Sequence, residues 1–325
     1  MSASNQGEFA FIDWIRRQVP SVGTAQNHII TGIGDDCAVL RFTPGREVVV
    51  TTDMLMEGRH FLVSDTLSLE RIGRKCLGVN LSDIAAMAAV PIAAVVAVAL
   101  PHAHKTLDST LIGRSLHNGM KPIAEDFDVA LVGGDTNAWD GPLVVSVTVL
   151  GEATERGVVR RDGARVGDSI IVTGELGGSL FPGNQRHLSP TPRVREALAL
   201  HREYNLHAMI DISDGLAADL GHILCESGNL GAVLRADRIP IHGDARALAT
   251  RDGATPLDHA LHDGEDFELC FTVSPKSAQR LRESPPNFVA VSEIGEVTSA
   301  PGLRLRDLNG HDTTIEPRGF DHLRD

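Results

Sequence analysis

The sequence predicts an α+β fold in two domains, and three observations lead to that expectation. The chain has 325 residues, 42% hydrophobic and 22% charged, which is ordinary for a globular protein large enough to hold two cores. Apolar runs rich in β-branched residues alternate with helical patterns in both halves. Between the halves, the polar stretch TERGVVRRDGARVGD follows Gly151. We therefore expect a first domain over 1–152 and a second over 153–325.

The residue pattern of the first half predicts a short amphipathic helix, followed by strands and longer helices. The N-terminal sequence MSASNQGEFAFIDWIRRQ lacks a basic stretch followed by an apolar core, so it favours a helix over an export signal. The apolar run 84–100 follows Asp83 and contains Pro91, which indicates a helix end, a turn and a buried strand rather than a membrane span. Strands are predicted at 47–52, 92–100, 129–132 and 143–150, and helices at 69–89 and 106–126.

The second half repeats the alternation. Strands are predicted at 169–173, 231–235 and 267–273, and helices at 193–204, 214–227, 244–251 and 275–283. Neither a periodic repeat nor a low-complexity tract is visible, so the second half is expected to be an α+β domain of its own.

The net charge and the cysteine spacing limit which partners and which kinds of metal site the chain can have. The formal net charge is −13, which disfavours nucleic acid or an anionic membrane surface as a partner, because both would be repelled. If a phosphate compound binds, metal cations must mediate. The four cysteines are widely separated and show no metal-binding spacing, so we expect reduced, packed thiols in a cytoplasmic protein.

Short acidic motifs recur at the ends of apolar strands or beside glycine: GIGDDC, TTDMLMEGRHF, NLSDIAAM, LVGGDTN, DISDG and HDGEDFEL. Loops at strand ends tend to converge on ligands, so these motifs suggest one shared site. Each has a plainer interpretation. Asp35 and Asp36 follow Gly32 and Gly34, as in an ordinary turn.

Two motifs favour a binding site for a hard cation. Thr51, Thr52 and Asp53 bring three oxygen-bearing side chains to the end of a valine run, although the same residues also cap helices well. Asp83 lies on the helical line of Ile72 within an alanine-rich segment. A buried carboxylate needs compensation, so a metal is favoured there over a basic neighbour.

The other motifs are weaker individually. GGDT and GEDFEL are compatible with a turn and a solvated strand entry, and the glycine-rich GELGGS with a plain loop. DISDG precedes a helix, where Ser213 or Asp214 fits an N-cap, and a helix start also offers N–H groups to phosphate. The sequence contains no P-loop, GxGxxG, HRD, DFG, GxSxG or HExxH motif, which removes the common nucleotide folds and two hydrolase classes.

Taken in order, these motifs together with RDGARVGD and the terminal RGFDH resemble the thiamine-monophosphate kinases, nearly from end to end. The resemblance implies an aminoimidazole ribonucleotide synthetase-like fold, a homodimer built through the N-terminal sheets, and ATP bound among several Mg²⁺ ions. It implies three groups of site residues, with Asp53, Asp135 and Asp214 central to catalysis. The metal ligands would be Asp36, Thr51, Thr52, Asp53, Asp83, Asp135, Asp211 and Asp214; the ATP contacts Gly134, Asp135, Arg161 and Ser213; and the thiamine monophosphate contacts His60, Glu265 and Phe320.

The chain departs from the family pattern at two places. Asn137, Ala138 and Trp139 follow GGDT where many relatives have threonine and arginine, and the segment 175–190 looks short. The expected reaction is direct in-line attack of the monoester on the γ-phosphate of ATP. Two alternatives stay open, namely another ATP-dependent synthetase of the same superfamily and a non-catalytic nucleotide- or metal-binding protein.

Overall fold

The structure is a computed structural model that describes residues 8–18, 25–63, 67–102 and 108–319. In this part of the chain, 13 strands form three sheets and eight α-helices accompany them, which confirms the α+β class. Two compact units are present, one of Met1–Ile84 with Ala89–Gly157 and one of Ala85–Ala88 with Val158–Asp325. The predicted boundary after residue 152 lies close to this division.

Residues 8–152 hold three helices and six strands. They are α1 (Glu8–Gln18), α2 (Leu69–Ala86), α3 (Ser109–Asp126), β1 (Ile29–Thr31), β2 (Val39–Leu40), β3 (Val48–Met56), β4 (Val90–Pro101), β5 (Ala130–Trp139) and β6 (Val144–Glu152). All four predicted strands and both longer helices are therefore present, with α3 described from Ser109 onward. The apolar run 84–100 is a helix end, a turn and a strand, as expected, and Ala88 makes the turn with φ of 49°.

The larger sheet of the first unit has the order β3-β6-β4-β5, so β3 and β5 are its edges. One face is covered, because Val145, Val147 and Val149 of β6 are fully buried. The other face, which we call the open face, exposes apolar side chains along an edge strand. It carries Val48, Val50, Met54 and Met56 of β3, which are 40–59% exposed.

Strand β5 is longer than the predicted 129–132. Its parallel pairing with β4 continues to the Pro101 and Trp139 pair, so GGDT lies inside a strand and not in a turn. Glycine is required there, because a Cβ at Gly134 would lie 2.0 Å from the carbonyl oxygen of Val96. The glycines that suggested a turn are instead a consequence of close strand packing.

Residues 169–315 hold the elements of the second unit. They are β7 (Ser169–Thr173), α4 (Val194–Glu203), β8 (Leu206–Asp211), α5 (Leu216–Glu226), β9 (Gly231–Arg235), α6 (Gly243–Asp252), α7 (Pro256–His262), β10 (Leu269–Val273), α8 (Pro275–Glu283), β11 (Val291–Thr298), β12 (Gly302–Arg306) and β13 (Asp312–Ile315). The sheet order is β13-β12-β9-β11-β7-β10-β8. Helix α5 packs its apolar side, including Leu220 and Ile223, into the core beside Cys270 of β10.

Two further expectations are tested by the fold. No helix in the described ranges is long and apolar enough to cross a membrane. All four cysteines are free thiols; the expectation that they are packed is confirmed for Cys76 and Cys270, which are buried, and is wrong for Cys37 and Cys225, which are exposed.

Candidate functional site

The first acidic group lies where β3 meets α2. Asp53 and Asp83 share a hydrogen bond, and Thr51 Oγ1 donates a short hydrogen bond to Asp83 Oδ2. Thr51 and Asp53 reach the same helix because alternate residues of a strand share a face. Burial, and then the charge of Asp83, raise the pKa of Asp53 to about 7. The group therefore concentrates negative charge that a cation would neutralise.

Thr52 points away from this group. Its Oγ1 donates to the carbonyl oxygen of Val147 at 3.2 Å and accepts from Thr148 Oγ1 at 2.9 Å. The side chain is therefore on the open face, and the structure does not bring its hydroxyl to Asp53 and Asp83.

A second acidic group lines a cavity of about 900 Å³ in the first unit. Asp35, Asp36 and Asp135 contribute carboxylates to its wall. The Asp36 N–H donates to Asp35 Oδ1 at 2.8 Å, so the predicted turn at GDD is also present. Asn137 Nδ2 donates to Asp135 Oδ2 at 2.8 Å, which gives one departure from the family pattern a definite role in orienting that carboxylate.

The two groups are separate within the unit. Strand pairing aligns Asp53 with Val147, Val96 and Gly134 on the covered face, so Asp135, the next residue of β5, points to the other face. The strands that carry Asp53 and Asp135 are opposite edges of the sheet, roughly 14 Å apart at about 4.8 Å per strand. Among the described residues, no three or more His, Cys, Asp or Glu side chains converge on a point as a metal cage.

The second unit brings DISDG and GEDFEL side by side. Leu269 pairs with Asp211, the Phe267 N–H donates to Ile212 O at 2.8 Å, and the Glu265 N–H donates to Ser213 O at 2.7 Å. Glu265 itself has φ of 62°, a left-handed conformation that non-glycine residues adopt only where the surroundings impose it. Asp211, Ser213 and Glu265 thus belong to one cluster at the end of β8 and β10.

Asp219 holds this cluster and was not identified from the sequence. Its Oδ2 accepts hydrogen bonds from the N–H groups of Ser213, Asp214 and Gly215 at 3.0, 3.0 and 3.1 Å. The expected N-cap at Ser213 or Asp214 is wrong, because Gly215 occupies that position without a side-chain cap. The expected free N–H groups are also taken, at these three residues, by Asp219. Burial raises the pKa of Asp219 to about 7.

The segment 174–190 is fastened to the same cluster. Asp266 Oδ2 accepts from the Gly177 N–H at 2.7 Å, and Ser179 Oγ donates to Gly264 O at 2.5 Å. Arg186 Nη2 donates to Asp266 Oδ1 at 3.3 Å. GELGGS is therefore a loop that packs against GEDFEL. Its backbone N–H groups at Gly177 and Gly178 donate to the carboxylates of Asp266 and Asp263.

The remaining predicted residues, Arg161 and His60, make contacts within their own units. Arg161 is exposed and faces Glu226, with 3.8 Å between Nη1 and Oε1. His60 Nδ1 accepts from the Met56 N–H at 3.0 Å, and the fully buried Lys75 donates to the His60 carbonyl at 3.1 Å. Lys75 was missed because a lysine in a helix predicts exposure.

Phe320 lies outside the described residues. Its neighbour Gly319 lies against Asp214 and Ala218, since a Cβ at Gly319 would come within 2.6 Å of the Asp214 carbonyl oxygen. The described end of the terminal motif thus reaches the DISDG loop.

Comparison with known proteins gives a consistent picture. The chain matches the AIR synthase related protein N-terminal domain over residues 34–153 and the C-terminal domain over 165–307. It is 40% identical to a thiamine-monophosphate kinase from Rhodopirellula baltica, covering 97% of each chain. It is 33% identical to one from Aquifex aeolicus, covering 99% of this chain and 100% of the relative.

Solved structures are similar throughout the chain. A thiamine-monophosphate kinase from Stenotrophomonas maltophilia K279a matches with a TM-score of 0.76 at 37% identity, covering 94% of this chain and 98% of that one. AaThiL complexed with AMPPCP and TMP matches with a TM-score of 0.73 at 30% identity, covering 99% of both. The hydrogenase maturation protein HypE shares the fold, with a TM-score of 0.72 at 20% identity.

Proposed function

Because the chain belongs to the thiamine-monophosphate kinase family, we propose that it phosphorylates thiamine monophosphate with ATP to give thiamine diphosphate. The observation that carries this function is the end-to-end match to a structure that binds both AMPPCP, an ATP analogue, and TMP. The chain is therefore a phosphotransferase with a phosphate group as acceptor.

Mg²⁺ is the cation that the residues of the first unit fit. Asp53, Asp83 and Thr51 offer hard oxygen donors, and the raised pKa of Asp53 reports a carboxylate held, partly buried, beside a second one. Mg²⁺ typically takes one or two carboxylates and completes its coordination with water and substrate phosphates, so two carboxylates without a full cage suit it. When bound, it supplies charge neutralisation for the phosphate oxygens of ATP.

Each carboxylate cluster has a proposed role. Thr51, Asp53 and Asp83 hold one cation; Asp36 and Asp135 hold another at the cavity, where Gly134 also lies in the wall and contacts ATP. In the second unit, Asp211 and Asp214 hold the cations that accompany the phosphates. Asp219 fixes the backbone conformation of Ser213 and Asp214 by accepting their N–H groups. Thr52 as a ligand stays a prediction, since its hydroxyl is on the open face.

Substrate recognition is assigned to His60, Glu265 and Phe320. The Lys75 amine and the Met56 N–H fix His60, and the backbone bond to Ser213 fixes Glu265. Glu265 supplies a counter-charge for the cationic thiamine, and Phe320 packs against one of its rings.

Phosphoryl transfer proceeds by in-line attack. An oxygen of the monoester forms a bond to the γ-phosphorus of ATP while the bond from that phosphorus to the β,γ-bridging oxygen breaks, releasing ADP. The second pKa of a phosphate monoester is about 6, so the attacking oxygen is mostly deprotonated at neutral pH and no general base is needed. Arg161 stabilises the charge on the transferred group.

We also propose a homodimer formed through the open face of the first sheet. Four exposed apolar side chains alternate along the nine-residue edge strand β3, whose outer edge pairs with no other strand of the described residues. Long apolar edge strands tend to pair or be covered.

The alternatives have less support. A sibling synthetase of the HypE kind shares only the fold, at 20% identity. A non-catalytic binding protein gives no reason for retaining two repelling carboxylates at Asp53 and Asp83, since unneutralised buried charge is costly.

The test is an assay of thiamine diphosphate formed from ATP, Mg²⁺ and thiamine monophosphate. Asp53→Ala and Asp135→Ala should each lower kcat/KM by at least about 100-fold, the loss typical of removing one stabiliser of developing charge. Asp140→Ala is the matched control, because its side chain is 94% exposed and follows β5 closely. A folded wild-type chain that forms no product would refute the kinase assignment.

A further inference from the structure

The backbone at Glu265 has a conformation that its own sequence does not favour. Glu265 and Phe267 have φ of 62° and 54°, in the left-handed region, and Asp266 lies between them. In this region the Cβ of an L-residue crowds the carbonyl oxygen that follows, so glycine is the usual residue there. Two such residues, one of them aromatic, therefore require neighbours that impose the conformation.

Ser179 contacts the peptide unit that precedes the Glu265 Cα atom. Its side chain is fully buried, and its Oγ donates to the carbonyl oxygen of Gly264 at 2.5 Å. The same peptide unit carries the Glu265 N–H, which donates to Ser213 O at 2.7 Å. Both polar atoms of this peptide unit are therefore held. Because φ of Glu265 is the rotation between this peptide unit and the Cα substituents, the two hydrogen bonds set that angle.

The residues after Glu265 are held from the same two sides. Asp266 Oδ2 accepts from the Gly177 N–H at 2.7 Å, and the Phe267 N–H donates to Ile212 O at 2.8 Å. The segment 264–267 thus lies between the loop that carries Ser179 and the end of β8.

The loop that carries Ser179 is itself fixed on two helices. A Cβ at Gly177 would lie 2.7 Å from the Ala260 nitrogen of α7. A Cβ at Gly178 would lie 2.3 Å from the Ala245 nitrogen of α6. The loop backbone therefore lies directly on both helices, and Ser179 cannot follow a rotation of the peptide unit that it holds.

We propose that Ser179 is a positioning residue for Glu265, whose left-handed conformation it maintains so that the carboxylate faces the cationic thiamine of thiamine monophosphate. The proposal rests on the proposed function for the role of Glu265. It adds a buried residue that belongs to no acidic motif, and it gives the GELGGS segment a role in substrate recognition.

Ser179→Ala tests the proposal in binding. The variant removes the hydroxyl, so the peptide unit rotates and Glu265 loses its orientation toward the cation. The Kd of thiamine monophosphate in calorimetry should rise at least about fivefold, which is typical of one lost hydrogen bond. The Kd of MgATP and kcat should stay within about twofold, because Glu265 faces the thiamine end and not the reacting phosphate. Ser284→Ala is the matched control, since Ser284 is an exposed serine at the end of α8.

Urea unfolding measures the imposed conformation without any substrate. Glu265→Gly and Glu265→Ala remove the same carboxylate, but only glycine adopts φ of 62° without crowding. Glu265→Gly should therefore have a higher urea midpoint than Glu265→Ala. In the Ser179→Ala background this difference should fall by at least about half, because the peptide unit is then free to relax.

The outcomes separate this proposal from the kinase assignment. Equal affinity for thiamine monophosphate in Ser179→Ala and wild type would overturn it, and so would a parallel loss of MgATP affinity. If Ser179→Ala does not fold, the two Glu265 variants decide: a higher midpoint for glycine supports the proposal and equal midpoints overturn it. Calorimetry and unfolding need no turnover, so both effects in a chain that forms no thiamine diphosphate would count against the kinase alone.

Discussion

Asp266 illustrates how burial sets the charge state of a residue beside the site. Its side chain is 0% exposed, and burial raises its pKa to about 7 although the Gly177 N–H and Arg186 both favour the ionised form. Asp263 and Glu268 add repulsion. At neutral pH the carboxylate that fastens the segment 174–190 is therefore close to its point of half-protonation.

A pH dependence of stability follows. Because the folded pKa lies above the value of about 4 of an unfolded aspartate, stability from protonated Asp266 is complete below pH 4 and is lost as pH rises through 7. Between pH 5 and 7 this removes about 2 kcal/mol from the free energy of unfolding. Asp266→Asn should flatten the profile by that amount in urea unfolding, whereas the exposed-site control Asp140→Asn should not. Parallel profiles for Asp266→Asn and wild type would contradict the shift.

At the level of residues, the sequence predicts the carboxylates of the candidate site and misses the side chains that fix the surrounding backbone. Asp53, Asp83 and Asp135 stand in short motifs, and glycine or strand ends mark them. Asp219 and Lys75 lie within helices, where a charged residue ordinarily indicates a solvent-exposed side. Their roles depend on which backbone groups the fold places opposite them, and no local pattern encodes that.

Among the elements, β3 carries different side chains on its two faces. Thr51 and Asp53 face α2, while Val50 and Met54 face outward at 59% and 56% exposure. The period of two residues places the Thr51 and Asp53 side chains on one face and the exposed apolar side chains on the other. The same rule explains β5: its glycines predicted a turn, but pairing with β4 extends the strand and turns Asp135 and Asn137 to one face.

The apolar side of β3 predicts the oligomeric state. Val50→Lys places a charge among the exposed apolar side chains of the edge strand β3, so it should convert a dimer into a monomer in sedimentation velocity. Leu308→Lys is the control, because Leu308 is 84% exposed in a turn of the second unit. A monomeric wild type, or a Val50→Lys variant that remains dimeric, would exclude this face as the interface.

For the whole molecule, the sequence predicts the fold class more completely than the geometry of the site. Net charge and motif order are properties of the chain and need no coordinates. The division of the first unit's carboxylates into two groups depends on strand order, since β3 and β5 are distant only because β6 and β4 lie between them. Strand order is not encoded in any short motif, so this separation could not be inferred beforehand.

The net charge of −13 leads to a prediction about metal removal. ATP is a polyanion, so without Mg²⁺ it meets the repulsion of the acidic clusters as well as of the whole chain. Chelation should therefore raise the Kd of ATP in calorimetry at least about tenfold, equivalent to about 1.4 kcal/mol. Added monovalent salt should partly restore metal-free binding, because it screens repulsion. Adenosine, which is uncharged, serves as the control and should bind equally with and without Mg²⁺. If ATP bound equally well in chelator, the carboxylates would not be acting through a cation, and the roles assigned to Asp53, Asp83 and Asp135 would fail together.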